Sequence, residues 1–190
     1  FTISFWTKRC VLGNVDEEHI FSADSDTFIR FETTNDRFRF ASNTSPNVNP
    51  IIETNRQFRD VSAWYHIVLA MDSTQSTAAN RVKIYVNGVQ ETSYGTEDYG
   101  NQNVALGMFS NSAITFTLGC AGSQNSGYAF DGYITEFHLV DGEQKNADDF
   151  GRINGGGSDE HDSIGLNFKF TDLQAVLGIS QLKRINKLIE

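Results

Sequence analysis

The chain has 190 residues, of which 21% are charged and only 2 are proline, a composition that suits one domain with a sizeable core and argues against disorder. The formal net charge of -9 argues against a nucleic-acid partner, since phosphate binding needs a basic surface. No apolar run approaches the ~18 residues of a membrane-spanning helix. The chain starts within a strand pattern and without a signal peptide, which predicts that the true N-terminus is missing, either processed away or outside this chain.

Alternation of apolar and polar residues with a period of two predicts a series of short strands. The clearest case is "NRVKIYVNGVQ" (Asn80–Gln90), where Val82, Ile84 and Val86 alternate with more polar residues and Asn87-Gly88 supplies a two-residue turn. Short strands at this spacing predict a sandwich or barrel. The other predicted strands are Phe1–Trp6, Thr27–Thr33, Arg37–Ser42, Ser62–Asp72, Ala113–Cys120, Gly132–Val140 and Ile164–Asp172.

Polar segments between the strands predict loops, and only two segments favour helix. The predicted loops are residues 43–50, 73–79, 93–103, 121–128 and a flexible loop at 153–163. Asn146–Gly151 predicts one helical turn capped by Asn146. The C-terminal segment 173–190 predicts an amphipathic helix too short to be stable alone, so we expect it to dock on another surface. Its apolar assembly face is Ile179, Leu182, Ile185 and Ile189, opposite Lys183, Arg184 and Lys187.

The two cysteines, Cys10 and Cys120, leave one disulfide open, but we expect two small buried residues within strands. Two cysteines are too few for the four-ligand zinc sites that thiolates usually build.

Three segments, in this order, resemble the concanavalin A-like family, whose members include laminin G-like and pentraxin-like domains. They are "FTISFWTKR", "FRDVSAWYHIVLAMDSTQSTAANRVKIYVNGVQ" and "FDGYITEFHLVDGEQKNADDFG". The resemblance implies an all-β, two-sheet antiparallel jelly-roll sandwich over residues 1–172, with "IGLNFKF" as its last strand and 173–190 as an added segment. The family usually has a further strand before "FTISFW", so its absence predicts an open sheet edge that a neighbouring chain or upstream segment fills.

Catalysis is not favoured. Glycoside hydrolases with this sandwich need two carboxylates ~5–10 Å apart, often as Glu-x-Asp-x-Glu along one strand, and this spacing is absent. The acidic run Val15–His19 is contiguous, and Glu136 stands alone in its strand. The histidines His66 and His138 lie inside strands, and no serine occupies a Gly-x-Ser-x-Gly turn.

Two kinds of binding site remain open in the loops. Aromatic rings with planar polar groups suit sugars, which makes Tyr94, Tyr99, Asn101, Asn125 and Tyr128 the candidate sugar-binding residues. The alternative is that these tyrosines pack the loops onto the rim of the sandwich, and Trp6 and Trp64 are expected in the core. The resemblance also leaves calcium binding open, with Asp24, Asp26 and Asp131 as candidate ligands, although no dense acidic array is present.

The resemblance is closest to the form of this domain found in bacteriophage virion proteins. It implies a non-catalytic structural, decoration or fibre-type protein on the virion surface, with other virion proteins or copies of itself as partners and glycan binding through its loops. Bacteria also secrete such domains, so the alternative is a secreted or cell-surface lectin-like adhesion module. A glycan-cleaving enzyme is the third hypothesis, since one fold carries many functions.

Overall fold

The computed structural model is built mainly of antiparallel β-strands, which form two compact units, Phe1–Phe150 and Gly151–Glu190. It describes residues 1–13, 17–23, 27–42, 50–104, 106, 108, 115–122, 128–153 and 159–160. Among these residues, no helix is long and apolar enough to cross a membrane.

The first sheet of the larger unit, sheet A, has five strands in the order β11-β1-β6-β7-β8, all antiparallel. Its strands are β1 (Thr2–Arg9), β6 (Tyr65–Met71), β7 (Val82–Val86), β8 (Val89–Gln90) and β11 (Gly132–Val140). The predicted hairpin is confirmed: Asn87 and Gly88 both have positive φ, 51° and 81°, as a two-residue turn of this kind requires. The Oδ1 atom of Asn87 also accepts a hydrogen bond from the backbone N–H of His66 at 2.8 Å.

The second sheet, sheet B, has six antiparallel strands in the order β10-β2-β3-β4-β5-β9. They are β2 (Glu18–Ala23), β3 (Thr27–Phe31), β4 (Arg37–Ser42), β5 (Ile51–Gln57), β9 (Tyr94–Asp98) and β10 (Phe116–Leu118). Two short 3-10 helices, Ala78–Asn80 and Ala147–Phe150, accompany the sheets. The second confirms the turn predicted at Asn146–Gly151, although the cap differs: the backbone N–H of Asn146 donates to the Asp149 carboxylate.

The core lies between the two sheets and consists of the inward-facing apolar residues of both. Phe5 and Ile67 of sheet A and Phe31 and Phe38 of sheet B are completely buried in one cluster. Each such side chain contributes about 1.5–3 kcal/mol when it leaves water, so this cluster holds the sheets together. The predicted two-sheet antiparallel sandwich is confirmed.

Two expectations, about residues 94–98 and about the cysteines, are wrong. Residues 94–98, predicted as loop, form β9 on the edge of sheet B, where polar residues are tolerated because one side of the strand faces water. β1 pairs with β6 on one side and with β11 on the other, so the open sheet edge predicted from the missing strand does not lie at β1. That a neighbouring chain or upstream segment supplies the missing strand stays a prediction. The cysteines lie just after β1 and β10 rather than inside strands. Both are free, Cys10 is exposed and Cys120 is half-buried.

The smaller unit contains one short ladder, in which β12 (Arg152–Ile153) pairs with β13 (Asp159–Glu160). This ladder includes part of the loop predicted at 153–163. The predicted strand Ile164–Asp172, the boundary after residue 172 and the C-terminal helix lie outside the described residues.

Candidate functional site

The outer face of sheet A carries aromatic side chains near the C-terminal end of β1. Trp6 and Lys8 point outward because the residues that alternate with them face the other sheet. In register, Trp6 lies opposite His66 of β6 and Thr135 of β11. Lys8 lies opposite Tyr133 of β11. This part of the sheet therefore presents aromatic and polar groups side by side.

Two rings of this surface are open to solvent. Trp64, immediately before β6, is 41% exposed and Tyr133 is 58% exposed. Their ring centroids are 6.2 Å apart with the planes inclined at 45°. Beside them the Trp6 ring stacks on His66, with centroids 5.0 Å apart and an angle of 22°. We call Trp6, Trp64 and Tyr133 the aromatic face.

The prediction that both tryptophans lie in the core is wrong. Trp6 shares the outward side of β1 with Ser4 and Lys8, whereas Phe5 faces the core. Strand alternation contained this signal, because the side that holds Ser4 and Lys8 is the more polar one. The core position was nevertheless predicted because Trp6 is large and hydrophobic.

Charged groups lie beside the aromatic face. Lys8 is half-buried between β6 and β11, and Asp60 lies in the turn before Trp64. The pKa of Asp60 is below its ordinary value, chiefly because the Ser62 side chain and backbone N–H donate to its carboxylate. Lys8 adds to this lowering through its positive charge. A cationic donor and an anionic acceptor are therefore available near the rings.

This arrangement suits a ligand with one apolar and one hydroxylated aspect. Large exposed aromatic rings mark interaction surfaces because covering them removes apolar area from water. A pyranose ring presents C–H groups on its flat faces and hydroxyls at its rim. The rings can cover the former, and groups such as Lys8, Asp60 and Thr135 can bond the latter.

The predicted sugar-binding tyrosines are placed differently. Tyr94 lies in β9, packs on the core with Tyr99 in an edge-to-face arrangement, and donates from Oη to the Glu91 carbonyl at 2.8 Å. Burial raises the pKa of Tyr94 and also that of Tyr99, which is less deeply buried. Asn101 is exposed nearby in the chain. These contacts match the alternative in which the tyrosines pack the rim.

Tyr128 lies at the other side of sheet B, where its ring is 5.9 Å from that of His19 in β2. Strands β3, β4 and β5 separate β2 from β9, a span of four strand spacings or about 19 Å. The structure therefore does not bring Tyr128 together with Tyr94 and Tyr99 into one small site.

The candidate calcium ligand Asp131 is exposed, and its backbone carbonyl accepts from the N–H of Cys10 at 2.9 Å. Across the described residues, no three His, Cys, Asp or Glu side chains are grouped as a metal site would need. Seven predicted site residues lie outside the described part of the chain and stay predictions. They are the sugar candidate Asn125, the calcium candidates Asp24 and Asp26, and the assembly residues Ile179, Leu182, Ile185 and Ile189.

A row of charged residues that the sequence analysis missed crosses the outer face of sheet B. His19, Arg30, Arg39 and Glu53 are in register on β2, β3, β4 and β5. The individual outward arginines were visible in the strand patterns. Their alignment was not, since it depends on pairing between strands distant in sequence.

Three carboxylates in or beside this row, those of Glu17, Glu32 and Glu53, are paired with arginines. Glu32 lies 2.9 Å from Arg30 and 3.3 Å from Arg39, and Glu17 also pairs with Arg30. Glu53 lies 3.6 Å from Arg39. These ion pairs give each of the three carboxylates a cationic partner.

His19 lies at the end of this row and is buried. Burial lowers its pKa, a hydrogen bond with Glu17 opposes the shift, and the positive charge of Arg30 adds to it. The His19 ring packs against the rings of Phe28 and Tyr128.

The family comparison covers most of the larger unit. The profile of a family described as the concanavalin A-like lectin/glucanases superfamily, in a laminin G form, matches residues 1–148. Neither a curated protein nor a solved structure matches the chain. The matched residues contain both sheets and the aromatic face. This chain belongs to the concanavalin A-like lectin/glucanases superfamily.

Proposed function

We propose that this chain is a non-catalytic carbohydrate-binding domain whose aromatic face contacts the glycan. The observation that carries the proposal is the pair of rings at Trp64 and Tyr133, exposed side by side on the outer face of sheet A. Membership of a superfamily described by its lectins and glucanases supports a sugar ligand. We favour the aromatic face over the loop tyrosines as the sugar-binding site, because Tyr94 and Tyr99 pack against the core and against each other.

The size of the effect follows from the exposed area. A tryptophan or tyrosine buries about 150–250 Å² when fully covered, so the open part of each ring is on the order of 100 Å². At ~25 cal/mol per Å², partial cover by a sugar ring contributes ~1–2 kcal/mol per ring. Loss of one ring should therefore weaken binding about tenfold.

The test is a glycan array probed with the intact chain, with Trp64→Ala and with Tyr133→Ala. We expect saccharides that bind the intact chain to bind each variant about tenfold more weakly. Phe116→Ala is the matched control, since Phe116 is an aromatic residue of similar exposure, 49%, on β10 of the other sheet. Equal binding by all four proteins would contradict the assignment of the aromatic face.

We also propose a setting, the surface of a bacteriophage particle, where the domain serves as a decoration or fibre-type component. The order of the motifs "FTISFWTKR", "NRVKIYVNG" and "FDGYITEFHLVDG", which resembles phage virion domains, supports this setting. Mass spectrometry of purified virions should detect the chain, and virions that lack it would contradict the proposal. A signal peptide or cell-wall anchor in the full-length gene would favour a secreted or cell-surface bacterial adhesion module instead.

A non-catalytic role is supported by the pairing of Glu17, Glu32 and Glu53 with arginines. Reducing-sugar assays on the polysaccharides bound in the array should show no release. Release that disappears on replacing one of these glutamates by glutamine would show a glycan-cleaving enzyme.

A further inference from the structure

The aromatic face is bounded at one end by a segment that lies across sheet A. Thr2 points outward from the start of β1 and holds this segment by two hydrogen bonds. Its Oγ1 donates to the carbonyl of Glu143 at 2.7 Å and accepts from the N–H of Lys145 at 2.8 Å. Residues 143–145 are therefore fixed over the start of β1.

The 3-10 turn that follows packs on the same face. Ala147 is buried against Val68 and Tyr85, and Phe150 packs against this cluster. The Oη atom of Tyr85 donates to Oδ1 of Asn146 at 3.1 Å. Residues 143–150, which we call the end wall, therefore cover the outer sides of β6 and β7 from Val68 onward.

Between the end wall and the end of β1, the outward residues Lys8 and Trp6 are half-buried, whereas Ser4 is only 1% exposed. We call the surface over Lys8 and Trp6 the lane, a span of two residues or about 7 Å along β1. His138, opposite Ser4 on β11, is exposed, and its ring lies 6.0 Å from that of Phe150. The lane begins at the exposed pair Trp64 and Tyr133 and ends at this second pair of rings.

We propose that the aromatic face recognises the end of a glycan chain rather than an internal segment. This inference rests on the proposed glycan-binding function. A surface open at both ends would let a polysaccharide continue past it in either direction. The end wall blocks one direction, so a bound chain stops at His138 and Phe150 and leaves the protein on the side of Lys8.

The test measures how much protein a polysaccharide binds as its chains are shortened. Amylose and β-1,4-xylan are immobilised intact and after partial hydrolysis to a tenfold shorter mean length. For end recognition, the shorter polymer should bind about tenfold more protein per gram, because it presents tenfold more ends. A capacity that does not change with chain length would overturn the inference while leaving glycan binding intact.

Variants separate the end wall from the rest of the surface. Phe150→Ala should lower the ratio between short and long polymers toward one, whereas Phe116→Ala should leave it at about ten. His138→Ala provides a second test at an exposed position, in case Phe150→Ala fails to fold. An unchanged ratio in the folded end-wall variant would contradict the role of the end wall. Absence of Trp64-dependent binding to these polymers and to every saccharide of the glycan array would contradict the glycan-binding function, and this inference with it.

Discussion

Replacing Arg9 by methionine should destabilise the sandwich by about 3–5 kcal/mol, the cost of removing one partner of a buried ion pair. The Arg9 side chain is completely buried. Its Nε donates to Glu18 at 2.9 Å, and its Nη1 donates to Asp36 at 3.0 Å and to the Phe58 carbonyl at 2.9 Å. Methionine fills much of the same volume, so the loss of stability comes from the missing charge and N–H donors more than from a cavity.

Arg59→Met is the matched control, because Arg59 pairs with the same carboxylate, that of Asp36, at 2.9 Å. Its side chain is 57% exposed, and exposed pairs contribute about 0–1 kcal/mol. Urea unfolding followed by tryptophan fluorescence and far-ultraviolet circular dichroism gives both free energies of unfolding. The reasoning is refuted if Arg9→Met costs no more than Arg59→Met.

Three further predictions concern pH, the hairpin and the C-terminal segment. The pKa of His19 is lower in the folded chain than in the unfolded one, so its contribution to the free energy of unfolding is complete above about pH 6.5 and is lost as the pH falls below that value. The free energy of unfolding should therefore fall by at most ~1.4 kcal/mol per pH unit in this range. Urea unfolding repeated across pH should show that this dependence disappears in His19→Gln. Gly88→Ala should cost about 1–2 kcal/mol in the same assay through backbone strain alone, because φ is +81° and no atom lies within 4 Å of the added carbon, and a neutral result would contradict the turn. Light scattering should show assembly by the full chain and a monomer without residues 173–190, while identical masses would exclude assembly through Ile179, Leu182, Ile185 and Ile189.

The parts of the fold that could be predicted from the sequence are those with a local cause. The turn at Asn87-Gly88 follows from two residues that tolerate positive φ, and β4 follows from the alternation of phenylalanine and arginine. β9 could not be predicted in the same way. Its sequence, "YGTED", lacks apolar alternation, and it becomes a strand because β5 offers a ladder of hydrogen-bonding partners.

The candidate site depended on non-local information. Tyr133 and Trp64 are separated by nearly half of the larger unit in sequence, and they meet because β1 pairs with both β6 and β11. The charged row of sheet B has the same origin, since Arg30 and Glu53 are aligned only through the registers of two ladders, β3–β4 and β4–β5. Loop tyrosines were favoured by composition, but composition does not distinguish a ring that packs from one that is exposed.

The two outer faces of the sandwich differ in what a ligand would gain. On sheet B, a ligand that binds Arg30 or Glu53 must compete with ion pairs already formed inside the protein, and a broken pair costs as much as the new contact returns. On sheet A, covering Trp64 and Tyr133 breaks no hydrogen bond or ion pair within the described part of the chain and removes apolar surface from water. Binding of a ligand on sheet A therefore lowers the free energy more than binding on sheet B. Because the end wall is fixed by Thr2 and by packing on Val68 and Tyr85, the surface is shaped before the ligand arrives, and little of that gain is lost to ordering the protein.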